Sequence, residues 1–395
     1  MIPGIFASNQ SIVGDRVGDF ASAILLTAPT GSALLLALTS GMGKAGANDT
    51  VFTWFEDAHI SGRQALSSGG TGNTIGVADG SAYVPGQVIL IEDTGEYVFV
   101  TSVTGNTLTV QRGIGGTSVV SINNTMHCQL VGNAHEEGSG IPTAVTQQGH
   151  PRMNYTQIFR NAWGVTGTAK AVTFRTGSKV AKNKRDCAMY HAEDMERSMI
   201  WGVKHVGSLN GKPFRMTDGV KSQLNQFGAY QLAAATGSTA GNLSRVDLED
   251  FLRNVFSKNV KGQPNERIAI GGNIVLQVFN QMAMLDGTLY IQQGETKLGL
   301  LVTTLTTPFG TIKLMTHPLM NENPIWQHEM YVLHPGAMRR RVLRETFEEN
   351  YDTNGNRVQG VDADQGVITT EMGIELGAAS TMGILTNVVK AVKSS

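Results

Sequence analysis

The residues that could do chemistry in this chain are few, and their spacing does not suit it. His328-Glu329 is followed by His334, whereas the His-Glu-x-x-His spacing is what turns two imidazoles to one helical face around a zinc ion. His135-Glu136-Glu137 could polarise a water, yet no second histidine lies nearby, so solvated loop residues are the better reading. Gly41-Met42-Gly43-Lys44-Ala45 lacks both the loop length and the Ser/Thr of a phosphate loop, and no Gly-x-Gly-x-x-Gly follows a strand. Gly138-Ser139-Gly140 lacks the spacing and the strand-to-helix context of a nucleophile elbow. Cys128 and Cys187 stand 59 positions apart with no Cys-x-x-Cys unit, which points to reduced, buried thiols and to no metal site. The expectation is a protein that is not an enzyme and holds no cofactor or metal.

One compact basic cluster stands out, Arg339-Arg340-Arg341 with Arg344. On an extended strand Arg339 and Arg341 share a face and Arg340 takes the other, so this is no uniform phosphate patch. Glu345, Glu348 and Glu349 follow closely and are expected to neutralise it within or between subunits, in preference to contact with DNA. Lys179, Lys182, Lys184 and Arg185 are the next candidates for meeting phosphate, with a solvated helix end as the equal alternative.

The elements that must carry these residues differ along the chain. Only 16% of the 395 residues are charged, against about a quarter in ordinary soluble chains, and 47 are glycine. A surface with so little charge is expected to be covered by other copies, while the net charge of −1 supplies no broad field for gripping nucleic acid. Residues 45–169 contain no lysine, and a Lys/Arg-rich helical segment starts near Lys179. Phe20 to Met42 is uncharged, but Pro29-Thr30-Gly31-Ser32 interrupts it and Asp15, Arg16 and Asp19 precede it. That predicts two short helices buried by partners, with neither a membrane span nor a signal peptide.

Between about Glu56 and Ala134 the period is two. Val88–Ile91 and Tyr97–Val103 read as strands, the second with Tyr97, Phe99 and Val103 on one face, and Gly105-Asn106 has the spacing of a hairpin turn before Thr107–Val110. From Arg175 to Val206 the spacing predicts one long helix with Ala188, Ala192, Met195, Met199, Val203 and Val206 as its buried stripe. Ser244 and Asp247 form a capping-box pair ahead of Leu248, Phe251, Leu252, Val255 and Phe256. Arg267–Gly272 reads as a strand, Ile274–Leu285 as a helix, Leu300–Thr307 and Thr311–Thr316 as a strand pair. Met330–Leu333, Arg339–Glu345 and Gly366–Leu376 read as strands around a polar loop from Glu348 to Gln365, and Met382–Val392 is the last element. The mixture is an α+β body.

Val131–Gly138, Asn154-Tyr155-Thr156-Gln157-Ile158-Phe159, the helix Ala188–Val206 and Gly366–Leu376, in this order of elements, resemble the major capsid proteins of tailed double-stranded DNA bacteriophages with the Hong Kong 97-like fold, in the subgroup with a β insertion in the extended loop. The resemblance implies an N-terminal arm (1–55), an extended loop (56–178) with an inserted β module at about 62–133, a peripheral domain with a long spine helix (179–261 and 331–395) and an axial domain (262–330). It implies self-assembly into hexamers and pentamers forming an icosahedral head around phage double-stranded DNA, held non-specifically, with a portal protein, a separate scaffold protein and a cement or decoration protein as further partners. The protein would pass from the host cytoplasm to the virion capsid. Candidate inter-subunit contacts are Leu34, Leu35, Leu36, Tyr97, Phe99, Arg339, Arg341, Arg344 and Glu348. The absence of lysine between Ala45 and Ala169 argues against the covalent crosslink of some relatives. The alternatives are the shell of a cellular nanocompartment and a phage tail or surface protein.

Overall fold

The computed structural model describes residues 44–57, 62–142, 144, 149–174, 177–234, 241–286, 291–292, 296–297, 300–301, 303–351 and 362–392. The two arm helices expected before Met42, with Leu34, Leu35 and Leu36, lie outside these residues. The chain divides into two compact units, one Phe55–Arg152 and the other everything on either side of it. No helix among the described residues is long and apolar enough to cross a membrane.

The smaller unit is a closed six-stranded antiparallel barrel. Around it run Arg63–Ser68, Thr74–Val77, Thr107–Ile114, Glu96–Thr104, Gln87–Ile91 and His127–Asn133, which closes back on the first. Alternation sends Leu66, Ile75, Val77, Ile89, Ile91, Val98, Val100, Leu108 and Val110 inward, so closure leaves no open sheet edge. The expected hairpin is present: Thr104 pairs with Thr107, and Gly105 at φ 57° takes the left-handed conformation that glycine adopts at no steric cost. Within Glu96–Thr104 the inward residues are Val98 and Val100, which turns Tyr97 to solvent and leaves Phe99 half-buried. Arg112 grips Glu96 through two hydrogen bonds of 2.8 and 2.7 Å, both side chains being buried. The same guanidinium donates to the carbonyls of Gly70, Gly72 and Val120, tying two loops to the barrel wall.

The larger unit is layered on a seven-stranded mixed sheet ordered Tyr230–Ala233, Gly383–Thr386, Met330–Leu333, Glu266–Gly271, Gly310–Thr316, Thr303–Thr307 and Ile291–Gln292. Successive residues serve opposite faces. Ile268 and Ile270 join one core, and Ala269 the other; Tyr331 and Leu333 join the first, and Met330 and Val332 the second. The second core is covered by the helices Arg245–Phe256 and Asn273–Asp286. The first of these opens with the expected capping box, Ser244 and Asp247 bonding each other's backbone N–H. Its Leu248, Phe251, Leu252, Val255 and Phe256 are buried, each such side chain contributing about 1.5–3 kcal/mol. The first core is covered by the long helix Lys179–Trp201 and by a four-stranded sheet of Lys44–Gly46, Met338–Tyr351, Ala363–Leu376 and Gln157–Thr166.

Two expectations change. The long helix stops at Trp201, where Gly202 leaves helical geometry at ψ 153° with its N–H on the Ser198 carbonyl, an approach so close that a Cβ would sit 2.3 Å from that oxygen. Val203 and Val206 therefore lie beyond the helix and are exposed, and Ala188 is also exposed. The buried face instead runs through Cys187, His191, Met195 and Met199, with Glu193, Glu196 and Ile200 beside it. An apolar count misses it because this face carries charge. The loop expected from Glu348 starts later: the strand continues to Tyr351, with Glu348 opposite Ile368 and Tyr351 opposite Gln365.

Candidate assembly surfaces

The arginine cluster is resolved by strand pairing. Met338–Tyr351 runs antiparallel to Ala363–Leu376, placing Arg339 opposite Glu375 and Arg340 opposite Ile374. Arg341 donates from Nε to Glu375 Oε2 at 2.5 Å, and Arg344 from Nε to Glu371 Oε2 at 2.7 Å. The carboxylates that bind these two arginines thus come from the neighbouring strand and not from the downstream run that includes Glu348. Residues opposite each other on paired strands share a face, whereas sequence neighbours alternate. Arg340 turns the other way, and its buried Nε has no hydrogen-bond partner. Arg339 is exposed. Glu348 accepts from Trp163 Nε1 at 3.0 Å and lies 3.1 Å from Lys184 Nζ, which sits over the Trp163 ring at 4.6 Å. Lys182 pairs with Asp186 at 3.8 Å and Lys179 lies over Phe174. Three of the four cations proposed for phosphate are therefore engaged within the chain.

The buried polar groups clamp elements together. Glu196 of the long helix meets His317 Nε2 at 2.8 Å, both fully buried. Trp201 stacks on Trp326 at 3.7 Å and donates to Tyr331, whose hydroxyl donates to Glu329; Lys221 completes the chain at 2.8 Å from Glu329. His191 bridges Asn161 and Thr370 at 2.6 and 2.8 Å, and burial pushes its pKa down. Asn154 binds the carbonyls of Asp218 and Ile374, holding the turn into Gln157–Thr166 against the strand Ala363–Leu376. Arg267, wholly buried, donates to the carbonyls of Thr381, Glu266 and Lys258, and desolvation pulls it down to about 10. Its neighbour His334 falls to about 4, through burial first and the Arg267 charge second.

His328 binds the Val388 carbonyl at 2.6 Å and His334 meets Asn259, so the two histidines serve separate structural contacts. His135, Glu136 and Glu137 lie in a segment, 131–142, that is exposed throughout. Burial raises the pKa of both Cys128 and Cys187, the opposite of an activated thiol. No group of His, Cys, Asp and Glu suited to a metal exists among the described residues.

What the surface does offer is uncovered apolar area. His205–Leu209 and Lys212–Met216 form a two-stranded ribbon that pairs with no other strand among the described residues. Val206, Leu209, Phe214 and Met216 on it are exposed, Leu209 at 65%. Two strands alone are marginal in water, so such a ribbon gains from being covered. The sequence reading ran the helix to Val206, over the first two ribbon residues, and assigned nothing to the rest. Its signal was Asn210-Gly211, which adopts φ 53° and 73° in the turn between Leu209 and Lys212. Ile141 is fully exposed and Val131 more than half exposed in the smaller unit.

The SU10 major capsid protein family matches residues 6–389 of the chain. The major capsid protein of Pseudomonas phage PaMx41 is 28% identical over 404 residues, covering 98% of this chain and 96% of its own. Among solved structures, the capsid of a native GTA particle superposes with a TM-score of 0.51 at 8% identity, over 97% of this chain and 100% of that one. The capsid of Myoviridae phage XM1 gives 0.48 at 11% identity, over 98% and 100%. The fold is the Hong Kong 97-like α+β capsid fold, and the family match favours the phage reading over the nanocompartment and tail alternatives.

Proposed function

Since the chain belongs to the SU10 major capsid protein family and is a phage major capsid protein, we propose that it closes into hexamers and pentamers that build an icosahedral head around double-stranded DNA. The observation that carries this reading is the uncovered apolar ribbon His205–Met216, a surface that another copy can bury. Heterologous contacts of this kind close into rings when the rotation between neighbours permits. In this reading residues 1–55 are the arm and 56–178 the extended loop, with the barrel Arg63–Asn133 as its inserted module. Residues 179–261 with 331–395 are the peripheral domain, whose spine is Lys179–Trp201, and 262–330 the axial domain. Tyr97, Phe99 and Arg339 are contacts to neighbours. Arg341, Arg344 and Glu348 shape the surface they belong to through their pairs with Glu375, Glu371 and Lys184.

The role is structural and not catalytic. DNA is held without sequence preference, and a portal, a separate scaffold and a cement protein are the expected further partners, met in the host cytoplasm before the protein enters the virion. Expression of the chain alone and with its neighbouring genes, followed by electron microscopy, tests the reading. Closed icosahedral shells or capsomer rings are expected; persistent monomers under every condition would overturn it.

A further inference from the structure

The ribbon His205–Met216 is one-sided in charge as well as apolar. Lys204, His205, Lys212 and Arg215 lie between Gly202 and Thr217 with no carboxylate among them. Among the described residues Lys204, Lys212 and Arg215 enter no ion pair. This sets them apart from the start of the long helix, where Lys182 and Lys184 are matched by Asp186 and Glu348. The complement stands in the smaller unit. Residues 131–142 are exposed throughout and carry Glu136 and Glu137, which enter no ion pair among the described residues, between the exposed Val131 and Ile141. Both glutamates lie in a turn closed by Ser139 N–H on the Glu136 carbonyl, with Gly138 at φ 75°.

We propose that the ribbon of one copy seats on residues 131–142 of a neighbouring copy in the shell. Lys212, which the register Leu209↔Lys212 and Gly207↔Phe214 places on the same face as Leu209 and Phe214, then faces Glu136 and Glu137, while Leu209 and Phe214 cover Val131 and Ile141. This rests on the assembly reading above. A chain of net charge −1 has no long-range field to orient its neighbours, so opposite local patches must steer encounter and fix register. DNA phosphates would satisfy the cations but leave Leu209 and Phe214 in water, which favours a protein partner.

Zero-length carbodiimide coupling, which joins an amine to a carboxylate only at ion-pair distance, tests this on wild-type shells assembled from mixed light and 15N-labelled chains. Peptides linking Lys212 to Glu136 or Glu137 are expected between differently labelled chains. Closed shells that yield no such link, or links only within one label, overturn the proposal and leave the capsid reading intact; absence of shells fails the capsid reading first. Lysines shielded in DNA-filled particles, yet free and unlinked after DNA removal, assign the ribbon to DNA and also overturn it. As a second measurement, Lys212→Glu, or Glu136→Lys with Glu137→Lys, should each lower shell yield about tenfold or more. Combining both reversals in one chain should restore it; wild-type yield from either reversal alone contradicts the contact.

Discussion

The barrel and the core beneath the long helix solve the same burial problem with different materials. The barrel interior is built mainly of Ile, Val and Leu and holds one buried ion pair, Glu96 with Arg112. The core beneath the helix gathers Met195, Met199, Met315, Met320, Met338, Met372 and Met382, with Glu196 and His317 in contact inside it. Branched side chains have few rotamers and fix one shape, whereas methionine is unbranched and fills irregular gaps. The branched side chains of the barrel therefore leave less room for repacking than the methionines of the core under the long helix.

Arg112→Met should produce the largest effect. It leaves the Glu96 carboxylate buried without its cation, at a cost of about 3–5 kcal/mol, and releases the carbonyls of Gly70, Gly72 and Val120. Hydrogen exchange confined to the barrel would register it; an unchanged barrel would break the contrast.

Acidification should separate the two regions next. The Arg112 guanidinium holds Glu96 below the usual carboxylate range, so the stability it contributes is present above about pH 4.3 and is lost only as pH falls through its lower folded value. His191 and His334 are lowered, His334 to about 4. Their contribution is complete above about pH 6.5 and is lost as pH falls toward the folded values. Between those limits the larger unit should loosen while the barrel holds, as limited proteolysis across pH can show. His334→Gln should shrink the loss.

Overpacking should give the smallest difference. Ile91→Phe costs about 1–3 kcal/mol in a stiff core, and Met199→Phe less, because its methionine neighbours can yield; thermal melts of the two variants decide. Equal losses would mean that composition does not set adaptability here.

Much of this architecture was legible where one face is apolar and the other polar. The capping box at Ser244 and Asp247, the turn at Gly105 and the alternation of Gly366–Leu376 follow from local rules. Met195 and Met199 were read correctly as buried on the long helix, but the rest of its face was missed because His191, Glu193 and Glu196 lie on it, buried by partners distant in sequence such as Thr370 and His317. The arginine partners were misplaced for a similar reason, since Glu371 and Glu375 reach them only through strand register. The ribbon at His205–Met216 was missed because Val203 and Val206 continued a helical count past Gly202.

Sedimentation of the expressed chain against Leu209→Asp tests the central claim most directly. Closed particles from the wild type, and folded but unassembled copies from Leu209→Asp, are the predicted result; identical assembly of both, or a wild type that stays single, would contradict the account.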